Sequence, residues 1–218
     1  MSATVIAIAQ RKGGSGKTTL AAHLSVTWAL AKRDVALIDT DPQASLAQWY
    51  QKRAERLGRD ATGIDFTAVT GWRAAGAIFH RAREHEIVLI DSPANADMDV
   101  RATIREAGLV LVPVQPTPVD VWATLPTLTL AQEERVPALL VLNRVPPRAN
   151  LTEAMLAAFV ALNVPLAETQ IGNRVALAAS LAEGKGILET APGSRGAAEI
   201  QSLAQEILGF AGSALRVA

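Results

Sequence analysis

The chain has 218 residues, half of them hydrophobic, and equal numbers of acidic and basic side chains, so its formal net charge is zero. That length supports one sizeable core, and the lack of cysteine excludes disulfides, thiolate zinc sites and cysteine-ligated iron–sulfur clusters and fits a cytoplasmic setting. A chain with no basic surplus is not a constitutive DNA binder by bulk charge, so any hold on nucleic acid must come from a local patch or from pairing of two chains.

The first residues lack the charged, apolar and cleavage-site regions of a signal peptide. No apolar run approaches the length of a membrane span. Val5-Ile6-Ala7-Ile8-Ala9 reads as a buried strand, and residues 20–31 have the pattern of a helix. Between them lies Gln10-Arg11-Lys12-Gly13-Gly14-Ser15-Gly16-Lys17-Thr18-Thr19. Strand, glycine-rich loop and helix together form the setting of a phosphate-binding loop. Glycines let backbone N–H groups converge on phosphate, and the helix N-terminus adds partial positive charge. Lys17 supplies a point charge for β- and γ-phosphates, and Thr18 a hydroxyl for Mg²⁺.

Further apolar runs follow without polar alternation: Val35-Ala36-Leu37-Ile38, Ile87-Val88-Leu89-Ile90, Leu109-Val110-Leu111-Val112 and Ala138-Leu139-Leu140-Val141-Leu142. Each reads as a strand buried on both faces, as in a parallel sheet. Residues 44–57, 72–84 and 151–162 have helical length and pattern, and residues 64–69 suggest a short extra strand. Alternating strands and helices predict a doubly wound α/β fold with a mostly parallel sheet and helices on both faces. One domain over residues 1–218 is the simplest organisation.

In such sheets ligands bind at the carboxyl ends of the strands. Asp39, Asp91 and Asn143 fall there, beside the loop. Asp39-Thr40-Asp41-Pro42-Gln43 places two carboxylates just past a buried strand, where Mg²⁺ and water would suit them; a turn capping the next helix is the plainer reading. Asp91-Ser92-Pro93 ends a strand of the Walker B form, and a carboxylate there holds Mg²⁺ directly or through water. The prolines of Val112-Pro113-Val114-Gln115-Pro116-Thr117 favour a fixed loop. His23, His80 and His85 show no metal-ligand spacing and read as helix or surface residues. The scattered Trp28, Trp49, Trp72 and Trp122 read as core or half-exposed packing, and residues 49–53 as a solvated helix.

The position five residues before Gly16 is Arg11, not the usual glycine, and Lys12 stands ahead of Gly13-Gly14. This form resembles the deviant Walker A motif of the ParA/MinD family of P-loop ATPases. The resemblance runs from Val5 to near Leu208. It implies that Gly13, Gly14, Ser15, Gly16, Lys17, Thr18 and Thr19 cradle ATP. Lys12 would reach across a dimer to the partner's nucleotide. Lys12, Lys17 and Asp41 would be the catalytic set, with Asp41 orienting the attacking water. Thr18, Asp39 and Asp91 would serve Mg²⁺, with Asp39 in its outer shell. Asn143 and Arg144 occupy the positions of adenine contacts. After Pro93 the family often has a second proline or a glycine, where this chain has Ala94-Asn95.

Zero cysteine removes the iron–sulfur members, and a single tyrosine, Tyr50, removes the tyrosine-cluster kinases. The reading that remains is a small ParA-type ATPase, without an N-terminal operator-binding domain. It would dimerise with ATP, bind duplex DNA nonspecifically and associate with the nucleoid. A ParB-like or cargo-adaptor protein would stimulate its hydrolysis. The cargo would be a plasmid, a chromosome origin or a large protein assembly. Lys185, Arg195 and Arg216 are the candidate DNA contacts, amid glutamates that suit ordinary solvated faces. The alternatives are a MinD-like membrane-associated ATPase and a metabolic ligase of the dethiobiotin-synthetase type.

Overall fold

The computed structural model describes residues 3–94, 97–147 and 150–214. Among these, six strands form one parallel sheet: β1 (Thr4–Ile8), β2 (Val35–Asp39), β3 (Asp65–Ala68), β4 (Ile87–Asp91), β5 (Leu109–Val114) and β6 (Ala138–Leu142). Their order is β3-β2-β4-β1-β5-β6. The helices are α1 (Lys17–Leu30), α2 (Ser45–Leu57), α3 (Arg73–Glu84), α4 (Asp97–Arg105), α5 (Pro118–Glu133), α6 (Asn150–Val160), α7 (Val175–Ala182), α8 (Ile187–Thr190) and α9 (Arg195–Ala214).

Every residue of β2, β4 and β5 is buried, as the unbroken apolar runs predict. Successive side chains go to opposite faces of the sheet. Ile6, Ile8, Leu37, Leu89 and Leu111 pack with Leu20 and Leu24 of α1 and with Ile200, Leu203 and Ile207 of α9. On the other face Val110, Val112, Leu140 and Leu142 meet Ile104 of α4 and Phe159 of α6. There too Ile38, Val88 and Ile90 meet Ile78 of α3. Each fully buried aliphatic side chain contributes about 1.5–3 kcal/mol, which holds the sheet between its two helical layers.

The short strand expected over residues 64–69 forms as β3 at one edge of the sheet, beside β2. Two packing expectations are corrected. Residues 49–53 are not simply solvated: Trp49 and Arg53 are buried. The Arg53 guanidinium donates to the Thr62 and Gly184 carbonyls and to Glu189, which satisfies a charge that burial would otherwise penalise. Trp28 lies in the core, whereas Trp72 and Trp122 are exposed.

Candidate functional site

The loop between β1 and α1 opens at the carboxyl end of the sheet. Gly16 caps α1 at φ 96°, a left-handed conformation that favours glycine. A Cβ there would lie 2.3 Å from Asn143 Nδ2, so space and backbone both require glycine. The Asn143 amide donates to the Ser15 carbonyl at 2.8 Å, and its Oδ1 accepts from the Arg144 N–H at 3.0 Å. In this structure Asn143 therefore braces the loop, while exposed Arg144, at φ 54°, lines the cleft.

Lys17 begins α1, is 7 % exposed, and donates from Nζ to the Gln10 carbonyl at 3.0 Å. Burial lowers its pKa, opposed by the nearby charges of Asp91 and Asp41. Thr18 Oγ1 donates to Asp91 Oδ2 at 2.7 Å. Asp91 is buried and its Oδ1 has no hydrogen-bond partner. Burial pushes its pKa up to about 7, against the Thr18 hydrogen bond. An orphaned buried carboxylate oxygen on Asp91, beside the Thr18 hydroxyl that its other oxygen holds, is a fitting ligand set for a hard cation. Among the described residues no cluster of three or more His, Asp or Glu could hold a metal alone. That pattern suits Mg²⁺, which takes one or two protein oxygens and completes its shell from phosphate and water.

Asp39 is also buried, but both its oxygens are engaged: Oδ1 accepts from the Asp41 N–H and Oδ2 from the Ala47 N–H, each at 3.0 Å. Burial raises its pKa while those two backbone bonds lower it. It thus caps the first turn of α2 and fixes the preceding loop. Asp41 accepts from the Gln43 N–H at 2.9 Å and lies at the wall of the cleft. That cleft holds about 590 Å³ and is lined by Gly14, Lys17, Thr18, Asp41, Trp49 and Arg144, among others, a size that suits a small-molecule ligand.

Lys12 stands apart from the cleft-lining group. Its Nζ lies 2.5 Å from Asp120 Oδ2, and Asp120 is fully buried while Lys12 is 29 % exposed. Asp120 also accepts from the Gln115 N–H and the Thr117 hydroxyl. Gln10, Gln115 and Thr124 complete this polar layer: Gln10 donates to Thr124 Oγ1 and Gln115 to the Gly14 carbonyl. None of these is singled out by the loop motifs. Thr117-Pro118-x-Asp120 does carry a helix-start pattern, a capping hydroxyl followed by proline at the first position.

The late-chain cations are paired within the chain: Lys185 with Glu183 at 2.7 Å and Arg195 with Glu199 at 3.2 Å. Arg216 and Asn95 lie outside the described residues. Ile171-Gly172-Asn173-Arg174 is a brace. Arg174 and the Gly172 N–H both bind Glu199 of α9, while Val145 pairs with Gly172. Among the described residues no helix is long and apolar enough to cross a membrane.

A loop lysine and threonine facing a Walker B carboxylate at the end of a parallel sheet form a nucleotide-binding arrangement. Residues 6–187 match the family described as the CobQ/CobB/MinD/ParA nucleotide binding domain. The chain belongs to this family. This ParA/MinD-family ATPase is 30% identical over 216 residues to the Maintenance of carboxysome distribution protein A of Halothiobacillus neapolitanus, covering 94% of this chain and 97% of that one. It is 29% identical to the chromosome-partitioning ATPase Soj of Thermus thermophilus, covering 93% and 94%. Its fold matches the septum site-determining protein MinD of Pyrococcus horikoshii, solved with Mg-ADP. The TM-score is 0.79 at 21% identity, over 97% of this chain and 98% of that one.

Proposed function

We propose that this chain, as one domain, is a ParA-type ATPase that positions a cargo by an ATP-driven dimer switch, with nonspecific duplex DNA as its track. The observation that carries the reading is Lys12, a second lysine in the loop of a ParA/MinD-family chain, held on buried Asp120 outside the group that lines the cleft. A ligase of the same fold would have no evident use for it. Likeness over nearly the full length to a carboxysome-distribution protein and to Soj supports a large protein assembly or a chromosome origin as cargo.

In this reading Lys17 and the N–H groups of residues 13–19 bind the phosphates, and Arg144 lies against the adenine while Asn143 holds the loop and its neighbour in place. Thr18 and Asp91 would hold Mg²⁺, with Asp39 supporting its outer shell; the ion would neutralise phosphate charge. Asp41 orients the attacking water as it is drawn towards the γ-phosphate. Lys12 leaves Asp120 and reaches the nucleotide of a second copy. A partner protein then stimulates hydrolysis, and the ADP form separates from DNA. The apolar side of α9 supports this over a membrane-associated reading, because Ile200, Leu203 and Ile207 are already buried in the core.

The test is fluorescence anisotropy on random-sequence duplex across a salt series, with ATP and with ADP. Binding is expected with ATP only. If about four phosphates are neutralised per dimer, log affinity falls against log salt with a slope near −3.6, from roughly −0.9 per contact. Equal binding in both nucleotide states, or none in either at low salt, would overturn the DNA track. Lys185 and Arg195 already carry carboxylate partners, so replacing either alone should change the slope by less than the roughly two units expected for an unpaired symmetric contact.

A further inference from the structure

The outer face of α3 carries a pattern that the nucleotide site does not use. Trp72, just before the first turn, is 87 % exposed, and Phe79 is 61 % exposed. They are seven residues apart, about two turns, so both rings stand on one side of the helix. The Arg73 guanidinium lies 5.8 Å from the Trp72 ring centroid and the Arg83 guanidinium 5.7 Å from that of Phe79. Gly76 sits midway, and a Cβ built on it meets no atom within 4 Å. The face is therefore a notch between two rings, with a cation beside each ring.

The charges on this helix are unevenly satisfied. Arg81 is bound to Asp65 and Glu84, and His80 lies beside Glu84. Among the described residues no carboxylate pairs with Arg73 or Arg83. The inner face is committed to the fold: Ala74 and Ile78 are buried, and Ile78 packs on Val88 and Ile90 of β4. The outer face is thus presented on an anchored helix whose own packing does not need it.

We propose that this face is a docking site for an acidic amphipathic helix of a partner protein. Its carboxylates would meet Arg73 and Arg83, and an apolar side chain would seat over Gly76 between Trp72 and Phe79. Three features favour this occupant. Tryptophan and arginine are the residue types that dominate binding energy at protein interfaces. A cation–π contact keeps each guanidinium beside its ring while leaving N–H groups for a carboxylate. The two arginines are ten residues apart, about 15 Å along the axis, which matches carboxylates about three turns apart on a partner helix. Duplex DNA would use the two cations but gives the exposed indole and phenyl rings no apolar surface along its phosphate backbone.

The test uses two labelled synthetic helical peptides of about 20 residues. One carries glutamates about three turns apart with leucine between them; the other has lysine in place of each glutamate. Random-sequence duplex DNA is the third probe. Binding is read by anisotropy against the full chain, the Arg73→Glu/Arg83→Glu variant and Gly76→Leu. An unfolding temperature no lower than the native one and an unchanged nucleotide affinity confirm intact variants; Gly76→Leu should if anything raise the former, because it improves helix propensity.

The acidic peptide is expected to saturate at one per chain, with the lysine peptide at least about tenfold weaker. The double charge reversal should invert that order, and Gly76→Leu should weaken the acidic peptide by about tenfold or more by filling the notch. Failure of the acidic peptide to bind the native chain would overturn the proposal, as would equal binding to the charge-reversed variant. A variant that loses DNA binding while keeping the acidic peptide would reassign the face to nucleic acid.

Discussion

His23 has both ring nitrogens engaged: one accepts from the Ile187 N–H at 3.0 Å, and the other lies 3.1 Å from the Leu177 carbonyl as its donor. Those bonds tie α1 to α7 and α8 and require the neutral ring. Burial lowers its pKa to about 4 from an ordinary 6.5. A depressed folded-state value contributes stability that is present above the unfolded pKa and lost as pH falls through the folded one. Stability should therefore decline between pH 6.5 and 4, by roughly 3 kcal/mol from this group. In urea unfolding at both pH values, His23→Gln should start less stable and lose less between them. Two carboxylates of the site should separate by their kinetics. Asp41→Ala should keep nucleotide and Mg²⁺ affinity within about threefold while stimulated hydrolysis falls by about 10²-fold or more. Asp91→Ala should lose the Mg²⁺ dependence of nucleotide affinity, measured by calorimetry with and without the ion. Lys17, Thr18 and Asp91 were legible as neighbours because motif and strand ends agree. The Asn143 brace was not, because an amide after a strand gives no sign of which backbone carbonyl it will meet.

At the scale of elements, the turn between α7 and α8 shows how tightly neighbouring units are fitted. Gly184 has φ 66°, and a Cβ there would lie 2.5 Å from the Arg53 nitrogen and 2.7 Å from the Lys52 carbonyl carbon. Both are backbone atoms of α2, which cannot rotate away. Gly184→Ala should cost roughly 2–4 kcal/mol, from the left-handed backbone and the forced separation together, read as a lower urea midpoint. The same contact explains why Trp49 and Arg53 are buried. Their basic and aromatic composition suggests a wet surface, but the α7–α8 turn, 130 residues later, covers them. Helix existence was readable from local pattern, and α2 and α3 begin within a residue of expectation. The inward polar side of α5, with Asp120, Thr124 and Thr127 fully buried, was not. A helix whose buried side is polar has no hydrophobic period to betray it.

For the whole molecule, unbroken apolar runs ending in Asp39, Asp91 and Asn143 sufficed to predict a parallel α/β sheet with its site at the carboxyl edge. The strand order, with β1 between β4 and β5, could not be read, because pairing of strands far apart in sequence leaves no local trace. The pairing of two chains is likewise outside a single sequence, and it is the central claim of the functional account. Within one chain Lys12 is satisfied by Asp120, so under the proposed dimer switch its transfer to a second copy would have to be driven by ATP. The direct measurement is light scattering of the native chain and Lys12→Ala with ATP and Mg²⁺, beside nucleotide affinity by calorimetry. The account predicts that the native chain doubles in mass with ATP and not with ADP, and that Lys12→Ala binds ATP within about threefold of native yet stays monomeric. A Lys12→Ala chain that dimerises as the native one does, or a native chain whose mass ignores the nucleotide, would contradict it.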